Sequence, residues 1–143
     1  MSDLAAFAVM FGVAAGTAAA DQATKALALG SHTATAELAR PALLGIRATL
    51  NRNSVQAQMS PVEAPVIFGA ATLTAIAVAL LLGGLGAVGA GLAVGGVIGN
   101  GIDQRRHQAT VDFLALRNGM VINLADIAIA VGTVLMIAAF LQS

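Results

Sequence analysis

Residues 64–102 read APVIFGAATLTAIAVALLLGGLGAVGAGLAVGGVIGNGI, a stretch of 39 residues without a charged side chain. At 1.5 Å per residue, a single helix of this length would be roughly twice as long as the hydrocarbon core of a bilayer is thick. The stretch must therefore fold back on itself. Glycines between residues 83 and 91 mark the reversal, because glycine permits tight turns and close helix approach. The pattern predicts two membrane spans, at about 64–83 and 86–102.

Two further apolar stretches flank this pair of spans. Residues 3–21 carry charge only at their two ends, and residues 120–141 contain one charged side chain, Asp126. Each stretch has about the length that one spanning helix needs. The sequence therefore predicts an all-α integral membrane protein, with residues 1–143 forming a single membrane domain of four transmembrane helices.

The composition agrees with this fold class. The chain is 58% hydrophobic and 10% charged, with a mean hydropathy of +0.87, whereas about a quarter of the residues of a soluble domain are charged. The formal net charge is zero and there is no long basic run, which argues against a nucleic-acid partner. Because the chain has no cysteine and only two isolated histidines, we expect no metal site and no cofactor.

The number of spans determines which polar segments share a side of the membrane. Four spans place both termini and the glycine turn on one side, and the segments 21–63 and 103–119 together on the other. Within the first segment, apolar residues at 46, 48 and 50 alternate with polar residues at 47, 49 and 51, which is typical of a half-buried strand. We therefore expect a small amphipathic β/loop segment lying on the bilayer surface.

Two carboxylates in these regions are candidates for chemistry. Asp126 lies inside an apolar span, by this interpretation about two turns from the polar face, where a carboxylate is retained mostly to line a polar cavity or to react. Asn123 precedes it by three residues on the same helical face, so its amide can bond the carboxyl group. Asp112 has apolar neighbours and, taken alone, is as consistent with a solvated loop residue as with an active-site residue. If the two carboxylates meet, one retains a proton while the other activates water.

Four short motifs resemble those of the lipoprotein signal peptidases, the signal peptidase II family. They are DQATK at 21–25, GGVIGNGID at 95–103, VDF at 111–113 and NLAD at 123–126. Their order, their spacing and their positions relative to the spans all agree with the family pattern. The resemblance implies a membrane aspartyl endopeptidase that removes the signal peptide from diacylglyceryl-modified prolipoproteins, cutting N-terminal to the lipidated cysteine. It also implies a multi-pass location in the bacterial cytoplasmic (inner) membrane, with the active site and the β/loop segment at the outer, extracytoplasmic face.

The resemblance assigns roles residue by residue. Asp112 and Asp126 are the implied catalytic pair, and Lys25 is expected to anchor the first motif near the lipid headgroups. The implied supporting or substrate-binding residues are Asp21, Lys25, Asn53, Asn100, Asp103 and Asn123. The expected partners are lipid-modified prolipoproteins and membrane lipids, while the oligomeric state and stable partner subunits stay open.

The chain departs from the family pattern after Asn53. Where the family carries Asn-x-Gly-Ala-Ala-Phe, this sequence keeps Asn53 and one alanine and has Gln56 and Gln58, which implies an altered substrate channel. One alternative is therefore a catalytically inactive, signal-peptidase-like scaffold or subunit. A small transporter is a second alternative, although transporters place ionisable groups near the bilayer midplane and the central thirds of these spans are uncharged.

The distribution of basic residues conflicts with the implied orientation. All seven lysines and arginines lie in the polar segments or at their ends, and the positive-inside rule would place that face in the cytoplasm. The resemblance implies the opposite side, because lipidated precursors are presented there. His32 and His107 are expected to be solvated loop residues.

Overall fold

The computed structural model describes residues 1–30, 44–54, 58–60 and 62–143. Its helices are α1 (Asp3–Gly30), α2 (Glu63–Leu82), α3 (Gly84–His107) and α4 (Leu124–Leu141), and its strands are β1 (Leu44–Asn51), β2 (Thr110–Leu116) and β3 (Val121–Ile122). All four of these helices are long and apolar enough to cross a membrane. The predicted fold class, four apolar helices with a small β segment, is confirmed. His32 and Gln56 lie outside the described residues.

Helix α3 forms the centre of the molecule. It packs against α1, α2 and α4, and 56% of its most apolar part is buried, compared with 17%, 11% and 17% for α1, α2 and α4. Close approach depends on glycine: a Cβ on Gly89 would lie 2.7 Å from the carbonyl oxygen of Gly132 in α4. Small residues at such crossings let helix backbones touch, which is how membrane helices pack without a hydrophobic driving force.

Two helices extend beyond the predicted spans. Helix α1 continues to Gly30 rather than ending near residue 21, because residues 22–29 contain no helix breaker and Asp21 pairs with Lys25 one turn later. Helix α3 continues through His107, which is exposed at the end of the helix rather than in a loop. Asp21 and Lys25 therefore lie within a helix, where their side chains have fixed directions.

The start of α4 corrects the predicted depth of Asp126. Residues 121–122 form β3, and Asn123, in an extended conformation, is the N-cap of a helix that begins at Leu124. Asn123 and Asp126 form a capping box, in which each side chain accepts a hydrogen bond from the other residue's backbone N–H. Asp126 is thus in the first turn of α4, at the polar end of the molecule, rather than about two turns into the span.

The three strands form one antiparallel sheet in the order β1-β2-β3. Thr49 pairs with Asp112, and the register slips between Ile46 and Thr49. Asp112 therefore lies in a strand rather than in a solvated loop. The side chains of Ile46 and Leu50 in β1 point outward and are 68% and 49% exposed, which suits a surface that rests on lipid.

Candidate active site

Lys25 is the buried cation of a polar cluster between α1 and α3. Its Nζ lies 2.7 Å from Asp21 Oδ2 and 2.6 Å from Asp103 Oδ2, and it donates to Asn100 Oδ1 at 2.9 Å. Its exposed fraction is 2%. The expectation that Lys25 reaches the lipid headgroups is therefore wrong, because two carboxylates inside the protein hold the ammonium group. Such a pairing offsets the penalty for removing three charges from water.

Asp21 joins three helices. Its Oδ2 accepts from Lys25, and its Oδ1 accepts from the backbone N–H of Ala125 at 2.9 Å, in the first turn of α4. A Cβ added to Gly99 of α3 would overlap Asp21 Oδ2. Glycine at position 99 therefore leaves the space into which the Asp21 carboxylate fits.

Asp103 connects the end of α3 to the sheet. Its Oδ1 accepts from Gln22 Nε2 at 2.9 Å, and its Oδ2 accepts from the backbone N–H of Val111 at 3.1 Å. Val111 immediately precedes Asp112 in β2. Asp103 thus positions the strand that carries one of the two candidate catalytic carboxylates.

Two asparagine amides link this buried cluster to that candidate pair. Asn100 accepts from Lys25 through its Oδ1 and donates through its Nδ2 to Asp126 Oδ1 at 3.1 Å. Asn123 Nδ2 donates to Asn100 Oδ1 at 3.1 Å and to Asp112 Oδ1 at 2.8 Å. The side-chain amide of Asn123 therefore donates to the carboxylate of Asp112. The bonds between Asn123 and Asp126 are those of the capping box. They are not the bond from the side-chain amide to the Asp126 carboxyl group that the sequence led us to expect.

Asp112 has a partner for each carboxylate oxygen. Besides the bond from Asn123 to Oδ1, Asn51 Nδ2 donates to Oδ2 at 2.8 Å. The exposed fraction of Asp112 is 3%, and burial raises the pKa of its carboxyl above the ordinary value, with the charge of Asp126 raising it further and the two amide donors opposing the shift. Burial thus favours the protonated form of Asp112.

Asp126 is half-buried and thus the more accessible carboxylate. Its Oδ2 accepts from the backbone N–H of Asn123 at 3.2 Å and its Oδ1 accepts from Asn100. The N-terminus of a helix also favours a negative charge in its first turn. The two carboxylates therefore differ in exposure and in the groups that surround them.

Asn51 is a site residue that the sequence analysis missed. It stands at the end of β1, on the polar side of the alternating pattern, and reaches Asp112 across the sheet. Asn53, predicted for the site, is instead exposed in the following turn, and its backbone N–H donates to Asn51 Oδ1. Within the described residues the structure does not bring Asn53 into the cluster. Gln58, also exposed, donates to the backbone oxygen of Asn53.

The other predicted site residues meet in one connected network. Hydrogen bonds and ion pairs join Asp21, Lys25, Asn100, Asp103, Asp112, Asn123 and Asp126. Apart from Asp126, each of them is buried. The polar end of the helix bundle is thus a preorganised centre, in which a fixed charge cluster supports two carboxylates of unequal exposure.

Solved structures share this fold. Two of them, both described as a bacterial membrane enzyme obtained by the in meso method, at 1.9 Å and 2.3 Å resolution, match with TM-scores of 0.72. The matches are 20% identical in sequence and cover 94% and 93% of this chain, and 93% and 87% of the respective structures. The likeness extends over nearly the whole bundle and sheet.

Sequence comparisons agree. Lipoprotein signal peptidases of Nitrobacter hamburgensis and of Rhodopseudomonas palustris strain CGA009 are 38% and 45% identical to this chain, over 52% and 34% of it. The matched regions are 53% and 34% of those relatives, so the chain spans about half of their length or less.

The fold and the site together define a membrane protein whose four helices support a carboxylate centre at one end. The family model for signal peptidase II matches residues 13–142. This chain belongs to the signal peptidase II family.

Proposed function

We propose that this protein is a membrane aspartyl endopeptidase that removes the signal peptide from diacylglyceryl-modified prolipoproteins, cutting on the N-terminal side of the lipidated cysteine. The observation that carries the proposal is the pair Asp112 and Asp126, both bonded to Asn123. Family membership and the relatives described as lipoprotein signal peptidases support the substrate class.

The different environments of the two carboxylates suggest how they divide the chemistry. Asp112, buried and with a raised pKa, holds the proton that the pair shares. Asp126, half-buried in the first turn of α4, is the carboxylate that we assign to accept the proton of the attacking water. Two nearby carboxylates cannot both ionise without repulsion, so a singly protonated pair is the favoured state.

The reaction then proceeds by water attack. The oxygen of a water molecule bonds to the scissile carbonyl carbon while Asp126 takes a proton from that water. In the same step Asp112 gives its proton to the carbonyl oxygen. When the tetrahedral intermediate collapses, the carbon–nitrogen bond breaks and the leaving nitrogen takes the proton held by Asp126. Asp112 recovers a proton from the intermediate's hydroxyl group, which restores the pair. Asn123 and Asn100 hold both carboxylates in place throughout.

The position of the pair at the end of the helices suits a lipid-anchored substrate. The acyl chains of the precursor remain in the bilayer and hold its cysteine at the level of the carboxylates, so proximity supplies much of the selectivity. We propose the cytoplasmic (inner) membrane of a bacterium as the location, with this end facing outward.

A direct assay tests the proposal. The purified protein in lipid nanodiscs is incubated with a diacylglyceryl-modified precursor and, separately, with the unlipidated form, and the products are identified by mass. We expect release of the signal peptide from the lipidated precursor only. If a folded preparation cuts neither form, the scaffold alternative replaces the proposed activity; cleavage of both forms at equal rates would contradict recognition of the lipid.

A further inference from the structure

A groove separates α2 and α3 at the polar end of the molecule. The two helices are joined through Gly83, and toward the opposite end they enclose a groove of about 560 Å³ between residues 64–72 and residues 97–105. This volume lies within the range of roughly 300–1,000 Å³ that is typical of small-molecule sites. Its walls are mainly apolar and include Phe68 and Ile98.

The groove is separate from the carboxylate centre. Asn100 and Asp103 project from α3 toward Lys25 of α1, and Asn100 also bonds Asp126 of α4. The groove instead follows the side of α3 that faces α2. Gly101 lines it, although in sequence this glycine stands between Asn100 and Asp103. A molecule bound in the groove would therefore contact neither carboxylate of the pair.

The polar end of the groove carries a cation and an amide side chain. Arg105 is exposed at this end, where its guanidinium can bond a phosphate with two parallel hydrogen bonds. Gln104, the neighbour of Arg105 in sequence, also lines the groove.

We propose that this groove binds one anionic phospholipid of the surrounding bilayer. An acyl chain lies against Phe68 and Ile98, and the phosphate bonds Arg105. The positive charge of Arg105 favours an anionic phospholipid over the diacylglyceryl group of a precursor, because an uncharged glyceride offers the guanidinium no anion. The lipid fills the gap between α3 and α2, the least buried of the four helices.

Native mass spectrometry of the delipidated protein tests this proposal with defined lipids. The probes are phosphatidylglycerol, phosphatidylcholine and a neutral diacylglycerol, each added at the same concentration. We expect one phosphatidylglycerol to remain bound. Diacylglycerol has no phosphate and should be retained about tenfold more weakly, because it loses the charge-assisted bond to Arg105. Phosphatidylcholine should also be retained more weakly than phosphatidylglycerol, because its choline group offsets the charge of the phosphate.

Matched variants locate the lipid. Arg105→Gln removes the phosphate partner and should lower phosphatidylglycerol retention about tenfold, while Arg117→Gln, at an exposed arginine of the β2–β3 turn, should leave it unchanged. Gly101→Leu should also block binding, because a Cβ there meets open space and the side chain would enter the groove. Gly69→Leu, at an exposed glycine of α2 with the same open space, is its control.

The outcomes separate this inference from the proposed activity, because lipid retention is measured without a precursor. Loss of retention in Arg105→Gln and Gly101→Leu, with both controls unchanged, supports the groove. Equal retention by all variants overturns it and assigns the bound lipid to the general bilayer surface. Preferential retention of neutral diacylglycerol also overturns it, and would make the groove a seat for the precursor's own acyl chains.

Discussion

Asn123 Nδ2 donates a hydrogen bond of 2.8 Å to Asp112 Oδ1, joining the N-cap of α4 to the middle strand of the sheet. The same residue is bonded through its Oδ1 to the backbone N–H of Asp126. One asparagine thus sets the position of β2 relative to α4 and, with it, the relative positions of the two carboxylates.

Removing either ionisable group should abolish turnover. Asp112→Asn and Asp126→Asn retain the shape of the side chain but cannot exchange a proton, so each should slow cleavage of a lipidated precursor by at least about 100-fold. The rate is measured by mass spectrometry of the released peptide. Asp3→Asn, at an exposed position at the start of α1, is the control and should be nearly neutral. Near-normal cleavage by Asp126→Asn would refute the catalytic pair.

The pH dependence should report on Asn51. In the proposed reaction Asp112 must be protonated, so activity falls as the pH rises through its pKa. The bond from Asn51 favours the ionised carboxylate and therefore lowers that pKa. Asn51→Ala removes the bond, so the pKa should rise and the alkaline limb of the rate profile should move to higher pH.

The neighbouring asparagine is the matched control for this shift. Asn53→Ala, at an exposed turn position, should leave the alkaline limb where it is. A shift of the limb to lower pH in Asn51→Ala, or equal shifts in both variants, would contradict the assigned role of Asn51.

Lys25 should be essential for stability. Lys25→Met would leave Asp21 and Asp103 buried without their cation, and breaking a buried ion pair in this way costs about 3–5 kcal/mol of unfolding free energy. Thermal unfolding in detergent measures the loss. Arg117→Gln, at an exposed position, should change stability by no more than about 0.5 kcal/mol. Equal stability of the two variants would return Lys25 to the role of a headgroup anchor.

Two glycines of α3 should respond in opposite ways to alanine. Gly99→Ala places a methyl group where the Asp21 carboxylate lies, and overpacking of this kind costs about 1–3 kcal/mol. Gly101→Ala meets open space and should be neutral or stabilising by up to about 1 kcal/mol, since alanine favours the helix. Thermal unfolding of both variants under one condition makes the comparison, and a stable Gly99→Ala would show that the Asp21 carboxylate can move aside.

Cysteine labelling should settle the orientation. The chain has no native cysteine, so His107→Cys and Ser143→Cys each introduce a single thiol at an exposed position. An impermeant thiol reagent added to intact cells should label position 107 and spare position 143, because we propose that the carboxylate end faces outward. Labelling of position 143 alone would reverse the topology in favour of the positive-inside rule.

The sequence alone determined the four apolar helices and the end of the bundle at which polar residues meet. Hydropathy is a property of contiguous residues, so residues 64–102 revealed two spans and a turn without any knowledge of packing. The gathering of Asp112 and Asp126 followed from the even number of spans and from the motifs around them. The alternation in β1 likewise predicted a strand, which the structure contains.

Only the tertiary structure decided which polar groups are partners. Asn51 and Asn53 are two residues apart, and their sequence context does not distinguish them; pairing of β1 with β2, including the slip after Ile46, brings Asn51 to Asp112. Lys25 could have reached lipid headgroups from its position in the sequence, but the packing of α1 on α3 encloses it between two carboxylates. Such partnerships depend on distances between helices and strands that are remote in the chain, and those distances follow from close packing at glycines rather than from local pattern.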